Sequence, residues 1–178
     1  MKYCSVCGIE LTPRMENSHK RYSCKACGAI HYENPKPCVT AVVVKDDTIL
    51  LTRRAIEPGA NKWDLVGGFL ERDEHPNEAL RRELKEELGV QPKEYQFLGF
   101  FMDEYGDNGD STLNIAFVCQ VSGEPRIQVD EFDKIKWFAI SELPEQYAFR
   151  SVGDILEAYM QFVAAKGSRP PASTQASQ

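Results

Sequence analysis

Three glutamates near the middle of the chain, Glu83, Glu86 and Glu87, stand at i, i+3 and i+4. On a helix, at about 100° per residue, they share one face, with Leu80, Leu84 and Leu88 in an apolar stripe beside them. The carboxylates therefore border a buried face. A solvated helix gains from alternating signs, whereas like charges one turn apart cost a few tenths of a kcal/mol. Arg82 offsets Glu86 or Glu78 at that spacing, but one cation does not neutralise three clustered acids. A divalent cation does, and an all-oxygen donor set without histidine or thiolate fits Mg2+ or Mn2+ rather than Zn2+. Gly67 and Gly68, just before the helix, let backbone approach a metal or phosphate closely. A carboxylate-held Mg2+ completes its shell with water and substrate phosphate oxygens. Two readings stand: metal-assisted phosphate chemistry, or a charged surface helix.

A second donor set is made of thiols. Cys4-x2-Cys7 and Cys24-x2-Cys27 are separated by 16 residues, and each pair is followed by a glycine, Gly8 and Gly28. Two thiolates two residues apart bite one tetrahedral ion, and four protein ligands leave no position for water. The expectation is one structural Zn2+ that supplies folding energy to about 30 residues too few to bury a core of their own. Disulfides are the alternative, but nothing else points to an oxidising compartment. Cys38 and Cys119 lie in apolar runs and read as small buried hydrophobes. The ribbon either supports the fold or docks on nucleic acid, for which Arg14, Lys20, Arg21 and Lys25 supply positive charge.

These residues must be held by a scaffold, and 178 residues suffice for one ordinary domain plus a small module. The formal charge is −6, with 42% hydrophobic residues. That excludes a nucleic-acid coat protein and wholesale disorder. No apolar run approaches the ~20 residues that span a bilayer. Met1 to Glu10 carries Cys4 and Cys7 where an export signal needs an apolar stretch, so the cytoplasm is the expected compartment. The ribbon is expected over 1–34 and the main domain over 35–165, joined at Asn34-Pro35-Lys36-Pro37, which reads as a rigid linker. In the main domain, Cys38–Val44 and Ile49–Thr52 predict a hairpin around Asp46-Asp47. Trp63–Leu70 predicts a strand with a double glycine. Pro76–Leu88 predicts a helix opened by proline and closed by Gly89. Gln96–Met102, Leu113–Val121 and Ile135–Ile140 predict further strands, and a turn-rich Gly106–Asp110 joins the first two. Ser151–Ala165 predicts a second helix, its apolar residues at core-packing spacing. Residues 166–178 are small, polar and proline-bearing and predict a disordered tail. The fold class is α/β, a mixed sheet with helices packed on it.

Gly68, Glu74, Arg82, Glu83, Leu84, Glu86, Glu87, Gly89 and Val90 match every fixed position of G-x5-E-x7-R-E-U-x-E-E-x-G-U, with U aliphatic. The segment resembles the Nudix box, and a four-cysteine ribbon before it is similar to the zinc-bearing NADH and FAD diphosphatases of that family. The resemblance implies an α/β/α sandwich. It implies a hydrolase that cleaves the diphosphate of a nucleoside diphosphate linked to a second moiety, such as FAD, NADH or ADP-ribose. Glu83, Glu86 and Glu87 would hold Mg2+ with the carbonyl of Gly67, while Arg82 and Glu74 fix their rotamers. Glu83 serves instead as base in some members. Arg53 and Arg54 either hold a non-reacting phosphate or are solvated strand ends. Trp63, Phe69 and Tyr105 either stack a base or are structural. An acid on the loop before a late strand is a base or further ligand in many members. The family spacing to the strand tryptophan, here Trp137, lands on Glu131, with Asp130 and Asp133 as competitors and a solvated acidic turn as the alternative. The NADH-cleaving signature S-Q-P-W-P-F-P-x-S is absent, as is the proline typical of the ADP-ribose group. A sanitising triphosphatase and a nucleotide-sensing or nucleic-acid-binding module are the rival readings. Family members are often dimers, which leaves a homodimer open.

Overall fold

The computed structural model describes residues 2–106 and 109–166. The expected tail therefore lies outside the described residues, except that Lys166 closes the second helix. Within the expected Gly106–Asp110 turn, residues 107 and 108 also lie outside them. Two compact units follow one another, Met1–Pro35 and the chain from Lys36 on.

In the first unit, β1 (Thr12–Glu16) and β2 (His19–Ser23) form an antiparallel hairpin, and Tyr22 pairs with His31 of the short β3 (Ile30–His31). Asn17 and Ser18 both have positive φ, as a tight two-residue hairpin turn requires. Each cysteine pair closes the same turn: the Gly8 amide donates to Cys4 O and the Gly28 amide to Cys24 O, both at 2.9 Å. Both glycines sit at φ 75°, where a Cβ is disfavoured. The apolar core is little more than Cys4, Leu11 and Cys24. So small a core does not hold a fold by itself.

The second unit is a mixed sheet between two helices, as expected. Its strands are β4 (Lys36–Lys45), β5 (Thr48–Arg54), β6 (Trp63–Asp64), β7 (Val66–Phe69), β8 (Gln91–Tyr105), β9 (Asp110–Ser122) and β10 (Phe132–Ala139). Across the sheet the order is β10-β5-β4-β9-β8, with β6 on β5 and β7 on β4. Among the described strand pairings of this sheet, β4–β9 alone is parallel, and an isolated parallel bridge joins Trp63 to Tyr147. The helices are α1 (Pro76–Leu88) and α2 (Arg150–Lys166). Side chains alternate across a strand, and here the alternation separates two cores. Val39, Ala41, Val43 and Leu50 face Leu80, Leu84 and Leu88 of α1. Val42, Val44, Ile49 and Leu51 face Ile155 and Leu156 of α2.

Three local readings change. The strand expected over Trp63–Leu70 breaks at Leu65: Asp64 pairs with Thr52 of β5, whereas Val66 pairs with Ala41 of β4. The expected linker is shorter, because Lys36 and Pro37 already pair with Thr112 and Leu113 at the start of β4. A proline is tolerated at a strand start, and the Pro37 carbonyl still accepts from the Leu70 amide. β8 and β9 run well past their expected ends because a long antiparallel pairing satisfies polar residues that no apolar pattern marks.

Candidate active site

The position of α1 is set at both ends. Pro76 opens it, His75 Nδ1 accepts from the Asn77 amide, and Glu78 Oε2 accepts from the His75 amide. Gly89, in the left-handed region, closes it. With Leu80, Leu84 and Leu88 fully buried, the neighbouring Glu83 and Glu87 are carried to the edge of the core and are themselves buried. Opposite them runs Gly67-Gly68 of β7. The Gly67 amide donates to Glu87 Oε2 at 3.1 Å. A Cβ on Gly68 would lie 2.4 Å from Glu83 Oε1. The double glycine therefore makes the room in which these carboxylates sit.

Arg82 organises the acids. Its Nε and Nη2 grip Glu74 in a fork at 2.8 and 2.9 Å. Its Nη1 donates to Glu83 at 2.7 Å and Glu86 at 3.1 Å, and Nη2 also reaches the Phe69 carbonyl at 3.0 Å. Hydrogen bonds from Arg82 hold the Glu74 carboxyl down to about 2. Glu83 shifts the other way, because burial outweighs the same arginine.

A cavity of about 330 Å3 opens over this helix edge. Its acidic floor holds Glu83, Glu87, Glu131 and Asp64. Burial, then the charges of Glu83, Asp64 and Glu131, push the Glu87 carboxyl up to about 9. Burial pushes Asp64 up to about 6 even though Arg54 Nη1 lies 3.3 Å away. A site that holds acids this reluctantly fits a cation, and the donors are all oxygen, as Mg2+ and Mn2+ require. One wall is aromatic. Tyr105 stacks on Phe149 at 5.5 Å and meets Phe69 edge-on at 5.4 Å, with the Arg54 guanidinium 5.3 Å from the Phe149 ring. Another wall is polar: Asn114 Oδ1 accepts from Thr40 Oγ1 at 3.0 Å and from Cys38 Sγ at 3.2 Å. Beside it, Asp103 Oδ2 accepts from the Ser151 amide at the start of α2, at 2.6 Å.

The expected residues thus divide. Gly67, Arg82, Glu83, Glu87, Glu131, Arg54, Phe69 and Tyr105 line the cavity. Glu86 stands at its rim with a side chain 55% exposed, tied to Arg82. Trp63 turns to the α2 side of the sheet, edge-on to Phe138 at 4.8 Å, and does not line the cavity. Arg53 also lies outside it, engaged by Asp133. Asp64, Asp103, Asn114 and Phe149 are cavity residues that the sequence reading passed over. Asp64 had a signal, an acid inside the apolar run Trp63–Leu70; the other three had none.

In the first unit the four cysteine sulfurs all lie within 4.8 Å of one another. Cys4–Cys27 and Cys7–Cys24 are 3.7 and 3.4 Å apart. A tetrahedral zinc with Zn–S of about 2.3 Å needs sulfurs roughly 3.8 Å apart, so the cage fits that ion. Burial raises the Cys4 thiol, but the amides of Val6 and Cys7 and the ring of His31, whose Nε2 is 3.3 Å away, outweigh it and bring it down to about 6. Among the described residues no helix is long and apolar enough to cross a membrane.

The family described as NUDIX domain matches residues 34–158, and the zinc-ribbon family described as Nudix N-terminal matches residues 2–33. The chain is 28% identical over 162 residues to the NAD-capped RNA hydrolase NudC of Pseudomonas aeruginosa, covering 89% of this chain and 55% of that one. It is 32% identical over 114 residues to the ADP-ribose pyrophosphatase of Methanocaldococcus jannaschii, covering 64% of this chain and 68% of the other. The crystal structure of a NUDIX hydrolase from Nitrosomonas europaea is similar at TM-score 0.71 and 29% identity, covering 98% of this chain and 97% of that one. The chain spans about half the length of the NudC relatives it matches.

Proposed function

Because this chain belongs to the Nudix family, we propose that it is a Mg2+- or Mn2+-dependent hydrolase. Its substrate is a nucleoside diphosphate linked to a second moiety. The observation that carries this reading is the buried pair Glu83 and Glu87 against Gly67-Gly68, in a cavity where burial pushes both acids up. The two relatives are named for an NAD cap and for ADP-ribose. Both contain adenosine diphosphate joined to a ribose, so that unit is the substrate class proposed here.

Glu83 and Glu87 in the cavity, Glu86 at its rim and the Gly67 carbonyl would hold the metal. When bound, it polarises the diphosphate and neutralises charge on the leaving phosphate. Arg82 fixes the rotamers of Glu83 and Glu86 and, through Glu74, the loop before the helix. Glu131, across the cavity from α1, takes a proton from the attacking water. Oxygen adds to one phosphorus, the bridging P–O bond breaks, and each product keeps one phosphate. Phe69, buttressed by Tyr105 and Phe149, offers a ring face to the base or to the second moiety. A four-thiolate metal cage fits a reducing compartment such as the cytoplasm.

The test is a panel of ADP-ribose, NAD+, NADH, FAD, diadenosine polyphosphates, NAD-capped RNA and nucleoside triphosphates, with Mg2+ or Mn2+ and products separated chromatographically. Release of AMP from an ADP-ribose-containing substrate supports the reading. Turnover of triphosphates alone replaces it with a sanitising activity, and no turnover of any substrate removes it.

A further inference from the structure

Glu131 faces the cavity, but what holds it there lies outside. The edge strand β10 begins with an irregularity: Phe132 pairs with Arg54 and Lys134 with Arg53, so Asp133 is an extra residue opposite no partner. A bulge of this kind re-aims its neighbours and is common beside active sites. Side chains alternate along a strand. Phe132 is buried, whereas Glu131 lines the cavity. Glu131 immediately precedes β10, so a one-residue slip of β10 against β5 would carry it out of its place in the cavity.

Two contacts oppose that slip. Arg53 Nε donates to Asp133 Oδ1 at 2.8 Å and Nη2 donates to Oδ2 at 2.6 Å, a fork on a carboxylate. The Ala55 amide, two residues further along the chain, donates to the Glu131 carbonyl at 2.7 Å. The fork grips the bulged residue itself, so it selects the register in which Asp133 is the extra residue. It also occupies both edges of the carboxylate and directs the guanidinium away from the cavity.

We propose that Arg53 and Asp133 are positioning residues, a clamp that fixes the β10 register and so sets Glu131 toward the attacking water. The proposal rests on the role given to Glu131 above. It moves Arg53 from a phosphate contact to a residue that acts through Asp133, and it gives Asp133 a purpose distinct from Glu131's.

The experiment uses the full chain and compares Arg53→Ala, Asp133→Ala, the exchange Arg53→Asp with Asp133→Arg, and each single variant in a Glu131→Gln background. The clamp predicts that both single variants lose about tenfold in kcat, the scale of a misplaced catalytic group, with KM essentially unchanged. It also predicts that the exchange recovers part of the loss. In the Glu131→Gln background neither variant costs anything further, because nothing is left to position. Hydrogen exchange at the Ala55 amide needs no substrate and is faster in both single variants. A rise in KM for Arg53→Ala with Asp133→Ala silent would overturn the proposal in favour of a phosphate contact. Full turnover by Glu131→Gln would overturn it as well. If no substrate in the panel is turned over, the hydrolase reading fails by itself, and unchanged exchange at Ala55 still refutes the clamp.

Discussion

Replacing Glu87 by glutamine tests the electrostatics of the cavity directly. In the metal-free fold its carboxyl is raised from the ordinary 4.5 to about 9, chiefly by burial. A raised acid means that the folded state binds a proton the unfolded state has already released, so stability falls as pH rises through that interval. It is fully present below about 4.5 and lost progressively toward 9. At pH 7 the proton that the fold must take up costs about 3–4 kcal/mol, from roughly 2.5 units between 4.5 and 7 at about 1.4 kcal/mol each. Glutamine keeps the shape and the acceptor for the Gly67 amide but never ionises. In EDTA at pH 7, Glu87→Gln should therefore melt roughly 6–12 °C above wild type for a unit of this size. The difference should vanish near pH 4.5. Added Mg2+ should raise the wild-type melting temperature and leave the variant behind, while kcat of the variant falls by orders of magnitude. Melting curves followed by circular dichroism from pH 4.5 to 9, with and without Mg2+, read all of this. Superimposable metal-free curves across that range would refute the reasoning, because Glu87 would then not be a carboxylate held against its preference.

The other predictions concern different parts of the molecule. Gly68→Ala should leave the melting temperature nearly unchanged, because its Cβ meets only the movable end of Glu83, yet it should cut kcat strongly. Gly67→Ala should fail to fold well, since its Cβ would come 2.1 Å from the Val39 carbonyl; thermal melts of the pair separate the two effects. Arg82→Lys should lose about 10- to 100-fold in activity despite keeping its charge, because a single ammonium does not reproduce the fork on Glu74 together with the bonds to Glu83 and Glu86. Elemental analysis after dialysis against metal-free buffer should find about one zinc per chain, and Cys4→Ser or Cys24→Ser should lose it; a full complement of zinc in either variant would contradict the four-thiolate cage.

Sequence alone determined whatever depends on neighbours along the chain. The bounds of α1 were legible because proline, the capping residues and Gly89 act within one turn of each end. The leucine stripe and the carboxylates beside it followed from helical periodicity, and the thiol cage from two short bites of two cysteines. The resemblance carried by the box added the sandwich and the identity of the reacting class. Tertiary structure decided what depends on residues far apart. The parallel pairing of β4 with β9 joins segments more than 70 residues apart, and through it Cys38 and Thr40 meet Asn114. Asp103 and Phe149 reach the cavity only because β8 runs past its apolar stretch and α2 starts where it does. Trp63 and Arg53 looked equivalent to Phe69 and Arg54 in the sequence. Strand alternation and the break at Leu65 sent the first pair away from the cavity, and no local pattern records which face of a sheet a two-residue strand will choose.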